Sequence, residues 1–498
     1  MRTTVTFLWP DSPPPPAQAY VRALLFDTHG NVMADWRIAP VPGQPVMIDS
    51  GGDGPWRASI GRDGVLALYS CCDEPSSPEK LPHNGRLFPL IDWRSADGRI
   101  ATLHSDQFNY LHGTAEPQRF TEIVVLETIE ERNALILLNG ESMQPACALR
   151  LFATNGKGEV LESSHDEAML PFSTNRIELG LLFPHFAAFC DGKPATISGR
   201  FESTGLYTRP YVETTGKRWG IHHAGDVYRW PALPYFRHAL ISGEVNPAAV
   251  RHDAHTRTWV NILHSHDGHD EDVTVDVTLY DAEGRCVARR PDWCIARRNG
   301  LVRFDVADLL PAPDDPFQGH IALNFAPAAG AAVPCHLQAL MEYRSAGSVA
   351  RMMTWSDEWN SRIRLARRAR VAEPPVFGAF SRVLADPHLE TEFAVTNAGH
   401  AGYQAVADVT AHWRGKNGER ASSHFELAPF ATLFCTLAQL FPGLADPQAR
   451  AGVVLIESES DLASMAFTRC ARGTTLSAEH FMALFTLHQG ELLAPAGS

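Results

Sequence analysis

The sequence predicts an all-β chain of four tandem β-sandwich repeats of about 120 residues each. Three observations carry that expectation. First, the stretch WVNILHSHDGHDEDVTVDVTLYDAEGRCV, residues 259–287, has counterparts at 5–33, 135–161 and 392–421. Each copy is a short apolar run, a polar turn, a longer alternating run and a turn containing glycine. Second, the turn glycines Gly30, Gly158, Gly284 and Gly418 follow one another at 128, 126 and 134 residues. That period suits an array of small domains, since solenoid repeats are 20–45 residues long. Third, the alternating runs have the period of two that marks a strand with one buried face, and no long helical periodicity competes.

Each repeat opens with a short apolar strand and a polar turn. The next strand is YVRALLFD (20–27), CALRLFAT (147–154) or VTVDVTLYD (273–281), all in one phase. The clusters DTHGN, TNGKG, DAEGR and RGKNG that follow supply the positive-φ positions a hairpin needs. A third block reads LPFSTNRIELGLLFP (170–184), CIARRNGLVRFDVADLLP (294–311) and FELAPFATLFCTLAQLFP (425–442), with a shortened relative, RIAPVPGQPVMIDS, in the first repeat. In the full copies a strand leads into a half-turn of helix stopped by proline. The fourth block is WRASIGRDG, ATISGRFES, GHIALNFAP and AGVVLIESE, and the fifth is LALYSCCD, LYTRPYVETT, LQALMEYRS and ASMAFTRCA. Six or seven short strands per repeat, with turn signals between them, indicate sandwiches.

The expected boundaries place the first repeat at 1–108 with a proline-containing insertion at 74–98, and the second at 109–228. The third covers 229–361, a basic linker RIRLARRAR occupies 362–370, the fourth covers 371–483, and 484–498 form a tail. The linker is read as a solvated or salt-bridged connector, with docking of an acidic partner as the alternative. In strand number and patterning the units resemble immunoglobulin- or fibronectin-type sandwiches over nearly the whole chain, without the cysteine and tryptophan marks of those families. The nine cysteines do not recur at matching positions. They are expected to be reduced, mostly buried thiols of a reducing compartment, with Cys147 in the second strand of its unit. The neighbours Cys71 and Cys72 form the one pair that suggests redox or metal chemistry.

A formal net charge of −14 argues against broad attraction to nucleic acid or anionic membrane. The N-terminal MRTTVTFLWPDSPPPP lacks the apolar core of a signal peptide, and no stretch approaches the roughly 20 apolar residues of a membrane span. A soluble cytoplasmic protein is expected, with a protein partner or self-assembly favoured over nucleic acid.

Two groups of residues suggest metal chemistry. The cluster HSHDGHDED holds His264, His266 and His269 beside Asp267 and Asp270, a donor set that suits zinc, copper or nickel. Its slot in the repeat is a hairpin tip, where exposed polar residues are ordinary. The second group closes the repeats: LHSDQFNY (103–110), HHAGDVYR (222–229), TWSDEWNS (354–361) and LSAEHFMA (476–483). Each has a small residue, a carboxylate and an aromatic, as a repeated inter-domain joint would. If such motifs converge, His222, His223 and Asp226, with His104 and Asp106 or Glu479 and His480, would hold one divalent metal ion as cofactor. Adjacent histidines on a strand point to opposite faces, so His222 and His223 share an ion only through a turn at Ala224-Gly225.

A third group is aromatic. Tyr207, Tyr211, Trp219, Tyr228 and Trp230, with Arg209, could line a groove for a sugar or apolar ligand, or pack between domains. The nucleophile elbow, P-loop and dinucleotide fingerprint are absent from the sequence, and whether the chain is an enzyme stays open. The expected function is binding or assembly through inter-domain surfaces. The alternatives are a metal-dependent enzyme at the closing motifs and a carbohydrate or small-ligand module in region 206–236.

Overall fold

The computed structural model describes residues 1–9, 19–59, 63–72, 89–104, 119–202, 210–223, 243–244, 247–263, 272–297, 300–327, 338–354, 377–397, 406–444, 450–458, 460, 462–470 and 472–483. The first sandwich contains β1 (Arg2–Leu8), β2 (Ala19–Asp27), β3 (Val32–Ile38), β4 (Pro45–Asp49), β5 (Gly64–Cys72), β6 (Leu90–Arg94) and β7 (Ile100–His104). The second contains β8 (Arg119–Val125), β9 (Glu131–Leu138), β10 (Leu149–Thr154), β11 (Val160–Ser164), β12 (Thr174–Glu178), β13 (Ala195–Phe201), β14 (Tyr211–Gly216) and β15 (Gly220–His223). The third contains β16 (Gly243–Glu244), β17 (Ala248–His252), β18 (Arg257–Leu263), β19 (Val273–Asp281), β20 (Cys286–Ala296), β21 (Leu301–Asp305), β22 (Phe317–Pro327), β23 (Gln338–Arg344) and β24 (Val349–Thr354). The fourth contains β25 (Phe377–Val383), β26 (Leu389–Asn397), β27 (Ala407–Gly415), β28 (Arg420–Leu427), β29 (Thr432–Thr436), β30 (Gly452–Ser458), β31 (Leu462–Cys470), β32 (Leu476–His480) and β33 (Met482–Ala483).

One topology is written four times. The first sheet of each sandwich has the order β4-β1-β6-β7, β12-β9-β14-β15, β21-β18-β23-β24 or β29-β26-β31-β32. The second is β3-β2-β5 in the first sandwich and β11-β10-β13-β8 in the next. It is β16-β22-β19-β20 with β17 also on β22 in the third, and β28-β27-β30-β25-β33 in the fourth. The chain is therefore a tandem array of four antiparallel β-sandwiches. Alternation places the core: Val273, Val275, Val277 and Leu279 of β19 are buried while the residues between them are half-buried. The expected half-turns are present as α1 (Leu179–Leu182), a 3-10 turn at Val306–Leu309 and α3 (Leu437–Leu440), and the second sandwich adds a further helix, α2 (Phe186–Cys190), after Pro184. Pro184, Pro311 and Pro442 follow α1, the 3-10 turn and α3. A capping box between Thr436 and Gln439 starts α3.

The first repeat departs from the expected block order. Its WRASIGRDG segment carries a 3-10 turn at Pro55–Ser59, and the strand corresponding to β13, β22 and β30 is β5. The fifth-block strand is β6, which falls inside the expected 74–98 insertion and pairs with β1 and β7. Both of its faces are covered, so LIDWR lacks a clean polar alternation. Cys147 is not in a strand; it precedes β10 with φ of 60°. Of seven free cysteines described, Cys190 and Cys435 are buried while Cys147 and Cys286 are exposed, so burial is not the common property expected.

The four sandwiches fall into two compact units, divided between Tyr228 and Arg229. In each unit the odd sandwich docks a hairpin, β2–β3 or β19–β20, onto the even one by the same device. In the first, Phe26 stacks on Phe172 at 4.5 Å and 8°. In the second, Tyr280 stacks on Phe430 at 4.8 Å and 5°. The receiving phenylalanines have φ of 55° and 64°, each following a proline, Pro171 or Pro429. A main-chain bond from Thr174 N to Thr28 O (3.2 Å) matches one from Thr432 N to Ala282 O (2.9 Å). Buried Asn139 and Asn397 hold the receiving loops, donating from Nδ2 to Leu170 O (2.9 Å) and Leu427 O (3.0 Å). In the second unit Arg251 of β17 also reaches across the joint to Glu392 of β26.

The two joints also differ at the buried position opposite the docked aromatic. Val65 stands opposite Phe26, whereas His320 stands opposite Tyr280 and stacks on it at 4.9 Å. Burial lowers the His320 pKa to about 3, and its Nδ1 pairs with Thr432 Oγ1 at 3.1 Å. The ring is neutral when folded, while the unfolded chain takes up a proton below about 6.5. Above that pH the group has no effect on stability, and between 6.5 and 3 it progressively favours unfolding. We expect the second unit to lose stability as pH falls through this window, with a slope from this group of at most about 1.4 kcal/mol per pH unit. His320→Val should flatten the pH dependence of the unfolding midpoint; an unchanged slope would refute the assignment.

Candidate functional site

The joint of the first unit gathers several of the residues singled out from sequence. β7 packs beside β15, so Ala101 and Leu103 share an apolar cluster with Tyr211, Trp219 and Ile221. His104 and His223, the last residues of these strands, meet edge to face with centroids 4.5 Å apart, and both are buried. His222 is buried as well, but alternation turns it to the other face of β15, where its Nε2 donates to Val124 O at 3.2 Å. An ion held by His104 and His223 would therefore not take His222 from the same strand. Tyr211 and Trp219 are packed in the joint at 6% and 4% exposure, and Trp219 Nε1 donates to Glu213 Oε1 at 3.0 Å.

On the polar side of β6 and β7, Asp92 is fully buried and accepts from Thr102 Oγ1 at 2.7 Å. This pair is not among the residues expected from the sequence. A carboxylate in the middle of LIDWR, two residues before an arginine, was the available signal, but β6 itself was not recognised as a strand.

Glu479 and His480 close the fourth repeat at the end of β32, in the second unit. Glu479 is buried at 2% exposure, and its Oε1 lies 3.4 Å from His480 Nε2. His480 Nδ1 donates to Phe481 O at 3.0 Å. In this unit β24 packs beside β32, matching β7 and β15 of the first. Tyr343 meets Phe467 edge to face at 5.1 Å across that joint. The acids Asp106 and Asp226, the cluster His264, His266 and His269, and Tyr207, Arg209, Tyr228 and Trp230 lie outside the described residues, as does the linker 362–370.

Compared with models of known protein families and with curated proteins, the chain matches none. No helix among the described residues is long and apolar enough to cross a membrane.

Proposed function

We propose that the chain is a binding or assembly protein that works through the surfaces of paired sandwiches. The supporting observation is the joint itself, built twice from a stacked aromatic pair, a positive-φ phenylalanine and one main-chain bond. Such a joint holds two sandwiches in one geometry, and a preorganised surface loses less freedom when it binds. The sandwich architecture hosts many functions and contributes nothing to the choice. Exposed free thiols at Cys147 and Cys286 support a reducing location, which we propose to be cytoplasmic. Light scattering of the purified chain over a concentration series, beside quantified capture of partners, tests the reading. Self-association or partner capture that weakens in Gly30→Ala or Gly284→Ala supports it. A monomer that captures nothing, or captures equally well with the joint loosened, refutes it.

One observation favours a second reading, a bound divalent metal. His104 and His223 bring two imidazoles together at the joint of the first unit, and such a pair is a partial ligand set for zinc or non-haem iron. Elemental analysis of protein prepared without a histidine tag would find about one ion per chain, lost in His104→Ala/His223→Ala and kept in His222→Ala. Metal-free protein would remove this reading.

A further inference from the structure

We propose that the face of the β21-β18-β23-β24 sheet turned away from its core binds a compact oxyanion carrying a hydroxyl group, of which hydrogen phosphate is the simplest. Four charged side chains meet there. Glu342 on β23 is buried at 1% exposure, and its Oε1 accepts from Arg303 Nη2 (2.6 Å) and Arg344 Nε (2.5 Å). Its Oε2 accepts from Arg351 Nε at 2.6 Å. One carboxylate thus serves three guanidinium groups, and the two nearer the surface, Arg303 and Arg344, share a single oxygen of it. The nearest acid on β21, Asp305, is occupied with Arg257 and with the amide of Ala307. Positive charge of this kind in a largely buried place is costly until an anion balances it.

The donors left over define what the anion must offer. Each arginine spends only one edge nitrogen on Glu342, although the guanidinium fork is built for two parallel bonds. Arg303 Nε and Arg344 Nη2 are buried and have no hydrogen-bond partner. Arg303 is held in place by Trp259, whose ring lies 4.1 Å beneath its guanidinium carbon. Asn261 is directly opposite Arg303 in the register of β18 and β21, so the two side chains share a face. Its Oδ1 is a buried acceptor with no partner. Two unused donors and one unused acceptor on one face match an oxyanion that also presents an O–H. The side chains of Arg303 and Arg344 keep 16% and 15% of their surface, while those of Arg351 and Glu342 keep 1%. The first two are the rim by which an anion enters, and the latter two are the floor.

The test is a titration of the full chain with inorganic phosphate at constant ionic strength, read as the unfolding midpoint and by calorimetry. Phosphate should raise the midpoint saturably by about 2–4 °C. Acetate, which offers an oxyanion without the hydroxyl, should do less. Arg303→Gln/Arg344→Gln removes the rim and leaves Glu342 paired with Arg351; in this variant the shift should vanish. Asn261→Ala should weaken phosphate binding several-fold and bring phosphate and acetate closer together. The proposal is overturned if phosphate has no saturable effect, if the rim variant responds like the parent, or if chloride does as much as phosphate. If the rim variant fails to fold, Arg344→Gln alone carries the same comparison.

Discussion

Alanine at Gly30 or Gly284 is expected to destabilise its own unit by about 3–5 kcal/mol, combining a strained backbone with an overfilled interface. Both glycines have positive φ, 85° and 83°. A Cβ on Gly30 would collide with Pro171 O, and one on Gly284 would come within 2.6 Å of Pro429 O and 2.9 Å of Ala431 N. The obstacles are backbone atoms and have no rotamer by which to yield. The same substitution at Gly158 or Gly418 meets nothing within 4 Å, although φ is again positive at 80° and 89°. About 1 kcal/mol is expected there, from the backbone conformation alone. Calorimetric unfolding of the four single variants makes the comparison. Equal losses at all four glycines would mean that the hairpin tips of the odd sandwiches do not form the joints.

The second large effect concerns Glu342. Replacing it with leucine should cost about 3–5 kcal/mol, because three guanidinium groups lose their shared acceptor at once. Adding Arg351→Met to the Glu342→Leu chain should recover part of the loss, since it removes the most deeply buried of the three guanidinium groups that Glu342 serves. Burial alone would raise the Glu342 pKa, but Arg351, Arg344 and Arg303 together overcome it and hold the carboxyl well below the usual range. The folded value is lower than the unfolded one, so this group contributes stability above about 4.5. That contribution is lost as pH falls through the depressed folded value. Acid unfolding of the leucine variant should therefore be less steep than that of the parent below pH 4.5. If the single variant unfolds within 1 kcal/mol of the parent at neutral pH, the cluster is not the buried assembly described.

Much of the fold was legible because it rests on local patterns. The alternation in VTVDVTLYD, the glycine turns and the Leu-Phe-Pro endings each act within ten residues or so, and each appears where it was expected. The repeat of about 130 residues was legible for the same reason. Its pairing was not, although the difference was present in the letters. The odd repeats turn through Asp-x-x-Gly, DTHG and DAEG, while the even ones carry Pro-Phe-x-Thr at 171–174 and 429–432. Only the fold brings residues 26–30 to 171–174 and 280–284 to 429–432, and shows that two of four similar glycines are docked and two are open.

The candidate site divides along the same line. Strand alternation already implied that His222 and His223 point apart, and the structure sets them so. That His223 faces His104, from a strand more than a hundred residues away, depended on how two sandwiches dock. Glu342 and its arginines were unreadable for a related reason. A charged residue at a period-two position normally signals a solvated face, and only tertiary packing determines whether that face is covered. Local backbone preference determined the strands, turns and repeat of this protein; long-range docking decided which of its polar residues are buried together.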